Sequence, residues 1–383
     1  MSTGRWLRLP AVALVSACLS CQVHTRPRLV LRIGVLVNLS GPFAETSGQP
    51  TVDGARLAAR MVNASGGLEV GGDRYEVELV IKDFPDRTDA ATGAARALIN
   101  QDRVDVIVGP QFSRHAIPVS TVCENARLPM VSPMSSNPET TLGKHYVFRL
   151  AFDDAFQARV MARFALEDLA ARRAGILFNV SSTYSRNLAA LFQRTFEEGE
   201  GQIVGFEKYT GDEAASFDSQ LARIAAAQPD VLYLPNLTSI VMIQVRQARE
   251  LGIDATLLGS DTWDLRLLAG LPEAEGSFVT HQWHPDIPSK EGESFVERYQ
   301  NAYGDIPKTT AAMTYDALGL IFRAIQTEGA IGAEAIRAGL LKTQDYAGAT
   351  GAISYKGTGD PERSAVIVQT RGGRAILHRL VVP

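Results

Sequence analysis

The chain has 383 residues, 45% of them hydrophobic and 21% charged. That is an ordinary globular balance, long enough for two domains with separate cores, and it excludes wholesale disorder. Its 38 basic and 42 acidic residues are interspersed and leave a formal net charge of -4, so no broad cationic surface exists on which phosphates could release counterions. Nucleic acid is not an expected partner.

In chain order, Arg5 and Arg8 precede an apolar run over residues 9–15, and small residues then lead to Cys18. This is the layout of an export signal, and the run is too short to span a bilayer. Val15-Ser16-Ala17-Cys18 resembles a bacterial lipobox. The resemblance implies that the Cys18 thiol is acylated and that cleavage makes Cys18 the new N-terminus. Residues 1–17 are then a lipoprotein signal peptide and 18–28 a lipidated tether holding the protein to a bacterial membrane, where several acyl chains suffice and one alone is marginal. Cys21 and Cys123 lie far apart in sequence, so no structural disulfide is expected, and Cys123 is expected to be buried and inert.

Structure is expected from Leu29 onward. Apolar runs at 29–37, 104–108 and 129–132 read as strands, with an alternating stretch at 75–81 and a connecting strand at 146–150. Helical patterns at 54–64, 90–99 and 114–125 separate them, which makes one doubly wound α/β unit. The grammar then repeats. Helices are predicted at 156–171, 187–198, 217–227 and 239–251, and strands at 174–178, 203–209, 231–234 and 256–258. Asp105-Val106-Ile107-Val108 and Asp230-Val231-Leu232-Tyr233 hold equivalent places as acidic entries into buried strands, so two related lobes are the simplest account. Helices at 295–303, 311–327 and 333–341 have no strands of their own and must pack on existing sheets. The segments 352–355, 365–370 and 374–381 read as antiparallel hairpin material turning at Gly372-Gly373.

With these elements in place, the body resembles the branched-chain amino acid-binding (Leu/Ile/Val-binding) family of ABC-importer receptors. The likeness is carried by Leu39-Ser40-Gly41-Pro42-Phe43-Ala44, Ala64-Ser65-Gly66-Gly67-Leu68, Gly109-Pro110-Gln111-Phe112-Ser113 and Pro129-Met130-Val131-Ser132-Pro133 in the first half. Tyr184-Ser185, Pro229-Asp230-Val231-Leu232-Tyr233 and Arg246-Gln247-Ala248-Arg249-Glu250-Leu251-Gly252 carry it in the second. Each segment is weak and their order is strong. The resemblance implies the type I periplasmic binding fold: two Rossmann-like doubly wound lobes joined by three hinge crossovers, closing on a ligand as a clamshell. The lobes are expected as 29–152 with 282–348, and 153–281 with 349–383. The implied partner is an inner-membrane ABC permease complex, and the receptor is expected to act as a monomer without a cofactor.

Ligands of open α/β sheets bind beyond the carboxyl ends of the strands, where helix N-termini present backbone amides. Ser113 stands there, either as a ligand contact or as a plain helix cap. The resemblance makes it a carboxylate contact. In the next such loop, Ser135 and Ser136 read alone as turn residues, whereas the resemblance assigns the Met134 carbonyl and the Ser136 hydroxyl to a ligand's ammonium and carboxylate. Tyr184 is placed to cover an apolar ligand part, and Asp261, one methylene shorter than the family's usual Glu, to pair with an ammonium. Leu237, Trp263 and Trp283 are possible cleft walls. Leu237 stands where the family usually carries an aromatic residue, which undermines leucine, isoleucine or valine as the assumed ligand.

No His-Glu-x-x-His, Gly-x-Ser-x-Gly or phosphate-loop motif and no paired-cysteine metal motif occurs, so the reading is of a binding protein, not an enzyme. His281 and His284 could be read as a metal pair but have no evident third ligand. The expected function is an extracytoplasmic receptor that captures an amino acid or related small carboxylate for an importer. A ligand-sensing module that signals to a regulatory partner is the alternative.

Overall fold

A computed structural model describes residues 1–4, 29–211 and 216–383. The export signal, Cys18 and Cys21 lie outside the described residues. Strand β1 (Leu29–Val37) leads through a short π-helical turn into helix α1 (Gln49–Ala64), and β2 (Leu68–Val70) and β3 (Asp73–Asp83) follow. Then come α2 (Thr88–Asn100), β4 (Val106–Val108), α3 (Ser113–Ala126), β5 (Met130–Ser132) and β6 (Val147–Arg149). The first sheet runs β2-β3-β1-β4-β5-β6, parallel except for β2. Residues 33–37 of β1 are buried on both faces, as a central parallel strand covered by helices requires.

The second sheet is built from α4 (Asp154–Glu167), β7 (Arg173–Asn179), α5 (Thr183–Glu198), β8 (Gln202–Tyr209), α6 (Asp218–Ala226), β9 (Val231–Tyr233), α7 (Thr238–Glu250), β10 (Thr256–Gly259), α8 (Leu265–Ala269) and β11 (Phe278–His281). Helices α9 (Lys290–Tyr303), α10 (Thr309–Glu328) and α11 (Ala333–Leu341) precede β12 (Tyr346–Gly348), β13 (Gly351–Tyr355), β14 (Pro361–Arg363), β15 (Ala365–Arg371) and β16 (Arg374–Val381). The order is β16-β15-β11-β10-β9-β7-β8, with β15 and β16 antiparallel and the rest parallel, while β12-β13-β14 make a separate antiparallel sheet.

The chain therefore passes between the two large sheets three times: from β6 to α4, after β11, and from β14 to β15. This is the type I periplasmic binding architecture that the resemblance implied. Three details differ from the sequence-based expectations. Strand β11 and the short β2, β12 and β14 were not foreseen. Strand β13 does not join the terminal hairpin; Gly372-Gly373, both at positive φ, turns β15 into β16 alone. Finally, Ile353 and Tyr355 belong to the first lobe's core, with the Tyr355 ring edge-on to Phe148 at 5.4 Å. Residues 351–355 thus side with the first lobe and only β15–β16 complete the second sheet, because β13 finds its edge on β12 and β14.

Candidate ligand-binding site

Both sheets reverse their winding beside their first strand, β1 against β4 and β7 against β9, and the loops beyond these carboxyl ends carry most of the residues singled out from sequence. Gly109 ends β4 at φ +100°, where a Cβ would lie 2.3 Å from the Leu36 carbonyl oxygen. Only glycine passes there without strain. The turn delivers Ser113 to the first position of α3. Phe112 occupies the cap and makes no side-chain cap bond, so Ser113 is not the capping serine that position alone allowed. Its Oγ lies 2.8 Å from Ser135 Oγ, which in turn lies 2.7 Å from Thr140 Oγ1. The Asn137 amide donates to Ser113 Oγ at 3.4 Å. Ser113, Ser135 and Ser136 are thus brought together on the first lobe. The Ser136 carbonyl is occupied, accepting from the Asp154 amide at 3.1 Å and from Arg149 Nη1 at 2.7 Å. Met134 is half-buried and packs against the first core.

On the second lobe, the Tyr184 hydroxyl donates to Asp261 Oδ1 at 2.5 Å. Burial, then the charges of Asp261 and Asp154, hold the Tyr184 phenol well above its usual range, so it stays a donor. Asp261 Oδ2 accepts from Gln282 Nε2 at 2.9 Å, and the Asp261 amide donates to Gln157 Oε1 at 2.8 Å. Gln282 Oε1 accepts from the Phe152 amide at 3.2 Å, so two of the three crossovers meet at Asp261. The loops behind are tied by Asn236, whose Oδ1 accepts from Ser185 Oγ and the Tyr209 hydroxyl at 2.7 and 2.9 Å. Its Nδ2 donates to the Leu177 carbonyl and to Gln244 Oε1 at 2.9 and 3.0 Å. These buried hydrogen bonds tie together the loops that carry Tyr184 and Asp261.

The proposed walls divide. Leu237 is half-buried at the start of α7. Trp263 and Trp283 are each 1% exposed within the second core. Their indole N–H groups are spent on the carbonyls of Leu234 (3.0 Å) and Ala349 (3.1 Å). They are packing residues, as large buried indoles with satisfied N–H groups usually are. His281 Nδ1 lies 3.2 Å from Thr309 Oγ1, and His284 Nδ1 accepts from the Asp286 amide at 3.2 Å. Burial lowers both imidazole pKa values.

Sequence reasoning missed Asp154, Gln157 and Gln282. Asp154 and Gln157 sit one turn apart at the start of α4, directly after the first crossover, and an acidic pair there (Asp153-Asp154) was the available signal. Asp153 Oδ1 caps the helix through the Phe156 amide at 2.6 Å, which leaves Asp154 without a capping role. An open hollow of about 420 Å³ is lined by Glu124, Arg127, His145, Tyr146, Glu334 and Arg337 and shares no residue with this cluster.

A family model described as "Periplasmic binding protein" matches residues 30–374. The leucine-specific-binding protein of Salmonella typhimurium is 29% identical over 255 residues, covering 65% of this chain and 66% of that protein, just under two thirds of its length. The Leu/Ile/Val-binding protein BraC3 of Rhizobium johnstonii is 28% identical over 340 residues, covering 86% of this chain and 88% of that one. Among solved structures, the leucine binding protein LivK from Thermotoga maritima matches with a TM-score of 0.83 at 30% identity, over 92% of this chain and 99% of that one. The branched-chain amino acid transporter substrate binding protein LivJ from Streptococcus pneumoniae, in complex with isoleucine, matches with a TM-score of 0.82 at 26% identity, over 92% and 100%.

Proposed function

The chain belongs to the periplasmic binding protein family, whose members are solute receptors and not enzymes, and on that premise we propose that it captures a small amino acid or related carboxylate between its lobes and delivers it to an inner-membrane ABC importer. One observation carries the reading: a hydroxyl cluster at Ser113 and Ser135 on the first lobe and an anionic Tyr184–Asp261–Gln282 cluster on the second, each at strand carboxyl ends. Hydroxyls and the α3 amides suit a carboxylate, and Asp261 suits an ammonium. The lobes of this reading comprise the first sheet with α10, α11 and β12–β14, and the second sheet with α4–α8 and β15–β16. The Cys18 lipid anchor, the expected export signal and action as a monomer belong to the same proposal. Among the described residues no helix is long and apolar enough to cross a membrane.

The test is a thermal-shift screen of the full chain against the twenty protein amino acids and their amine-free carboxylate counterparts. A ligand held only by the folded state raises the midpoint, by about 2.7 kcal/mol of stability at a hundredfold excess over Kd. The double substitution Ser113→Ala with Asp261→Ala is expected to leave the fold intact and weaken binding by on the order of 100-fold, since each charge-assisted contact contributes roughly 1.5–3 kcal/mol. Unchanged affinity in that variant refutes the site.

A further inference from the structure

Gln111 stands between the end of β4 and Ser113, and its side chain is 3% exposed. Its loop is pinned to β5 by the Ser132 hydroxyl, which donates to the Pro110 carbonyl at 2.6 Å. Gln111 Nε2 donates to Thr51 Oγ1 on α1 at 2.7 Å and to Thr314 Oγ1 on α10 at 3.3 Å. Both hydroxyls already spend their own protons on carbonyls one helical turn back, Thr51 on Ser47 and Thr314 on Thr310, each at 2.7 Å. The two threonines can therefore only accept from the amide. That fixes its orientation, with the nitrogen toward them and the oxygen turned away.

Gln111 Oε1 is buried with no hydrogen-bond partner among the described residues, and so is Thr310 Oγ1. Thr310 precedes Thr314 by one turn and shares its face of α10, beside the Gln111 amide. The adjacent Thr309 Oγ1 lies 3.2 Å from His281 Nδ1 at the end of β11. The two orphaned atoms thus sit between the Ser113 hydroxyl cluster and the point where α10 meets the second lobe. Among the described residues no charged side chain bonds Thr51, Gln111 or Thr314. Nearby, Val52 and Ala55 of α1 and Met313 and Ala317 of α10 belong to the first core. In a site meant for an aliphatic group, a leucine at 111 would fill the same space without leaving a buried acceptor unmet.

We propose that Gln111 and Thr310 hold the far end of the ligand's side chain, and that this end is neutral and hydrogen-bonding, a hydroxyl or a primary amide. The inference rests on the amino-acid reading given above and narrows its substrate class. Gln111 Oε1 accepts an O–H or N–H from the ligand, and the Thr310 hydroxyl donates to the ligand's oxygen. A charged end finds no counter-charge there. A branched aliphatic end of the same shape fills the space and leaves both atoms unmet, so the receptor discriminates against leucine, isoleucine and valine. Sites built around a ligand's polar group reject the analogue lacking it far more strongly than apolar pockets reject a missing methylene.

Titration calorimetry of the full chain with two pairs of matched shape, L-threonine with L-valine and L-asparagine with L-leucine, tests this. The polar member of at least one pair is expected to bind tighter by on the order of 10- to 100-fold. Gln111→Leu is expected to abolish or invert that preference. Thr310→Val keeps the shape and leaves the Gln111 bonds to Thr51 and Thr314 in place, and it is expected to narrow the preference by about tenfold. The quantity read is the ratio of affinities within a pair, which a variant that merely loosens the fold shifts equally for both members. Circular dichroism melts show that each variant folds, and if Gln111→Leu does not, Thr310→Val decides alone. Valine and leucine binding as tightly as threonine and asparagine, or ratios unchanged in the variants, overturns the inference. The two atoms then hold ordered water only, and the amino-acid receptor reading stands. Silence from all twenty protein amino acids overturns that reading and the inference with it.

Discussion

Arg363, 3% exposed, joins all three crossovers through one guanidinium. Nη1 donates to the Leu150 carbonyl at 3.1 Å and lies 3.0 Å from Met313 Sδ; Nη2 donates to the carbonyls of Gln282 at 2.9 Å and Thr350 at 3.2 Å. Leu150 follows β6, Gln282 follows β11, Arg363 itself ends β14 at the third crossover, and Thr350 lies in the turn between β12 and β13. Buried Asp316 holds that stretch from the other side, accepting from the amides of Ala349 and Thr350 at 2.8 and 2.7 Å and from Thr350 Oγ1 at 2.6 Å. Burial pulls Arg363 down to about 10 while Asp316 and Tyr355 act the other way, so it is cationic at neutral pH. Arg363→Met keeps much of the bulk and removes every donor. Three buried carbonyls then lose their partner at roughly 1–3 kcal/mol each, and relief from burying the charge offsets part of this. A net loss of about 3–5 kcal/mol corresponds to a melting temperature lower by on the order of 10 °C. Arg363→Lys reaches fewer of the carbonyls and is expected to recover less than half of the loss. Circular dichroism melts of the three proteins at pH 7 decide it; a methionine variant melting within about 2 °C of the parent refutes the idea that this residue binds the crossovers together.

Gly54 faces the α10 backbone, and a Cβ there would lie 2.2 Å from the Ala311 carbonyl oxygen. Gly54→Ala is therefore expected to pry α1 from α10 and destabilise by about 1–3 kcal/mol, the usual cost of overpacking, seen as a lowered denaturant midpoint with unchanged slope. Cys123 is fully buried, with burial followed by the Glu124 charge pushing its thiol up to about 12. Because the thiolate is the reacting form, iodoacetamide at pH 8 is expected to leave it unmodified in the native protein and to alkylate it after unfolding in guanidinium. Labelling at equal rates in both states contradicts that burial.

The sequence by itself determined the elements and their rhythm. Hydrophobic runs and helical spacing are local quantities, and they placed β1 at 29–37 and α11 at 333–341 with the bounds found in the fold. Glycine pairs and strand-end serines and acids marked the turns at Gly372-Gly373 and the loops of Ser113, Ser135 and Asp261, because backbone conformation and helix entry depend on neighbours a few residues away. What pairs across the molecule was decided only by the tertiary structure. Strand β11 is four residues long and takes its identity from lying between β10 and β15. Trp263 and Trp283 look alike in sequence to cleft aromatics, and only the carbonyls of Leu234 and Ala349 reveal them as core. Asp154 reads as one of two acids opening a helix, the other of which is the cap. Its burial and its closeness to Asp261, over a hundred residues onward, come from bringing two sheets and three crossovers to one point, where burial sets the energy of a charge.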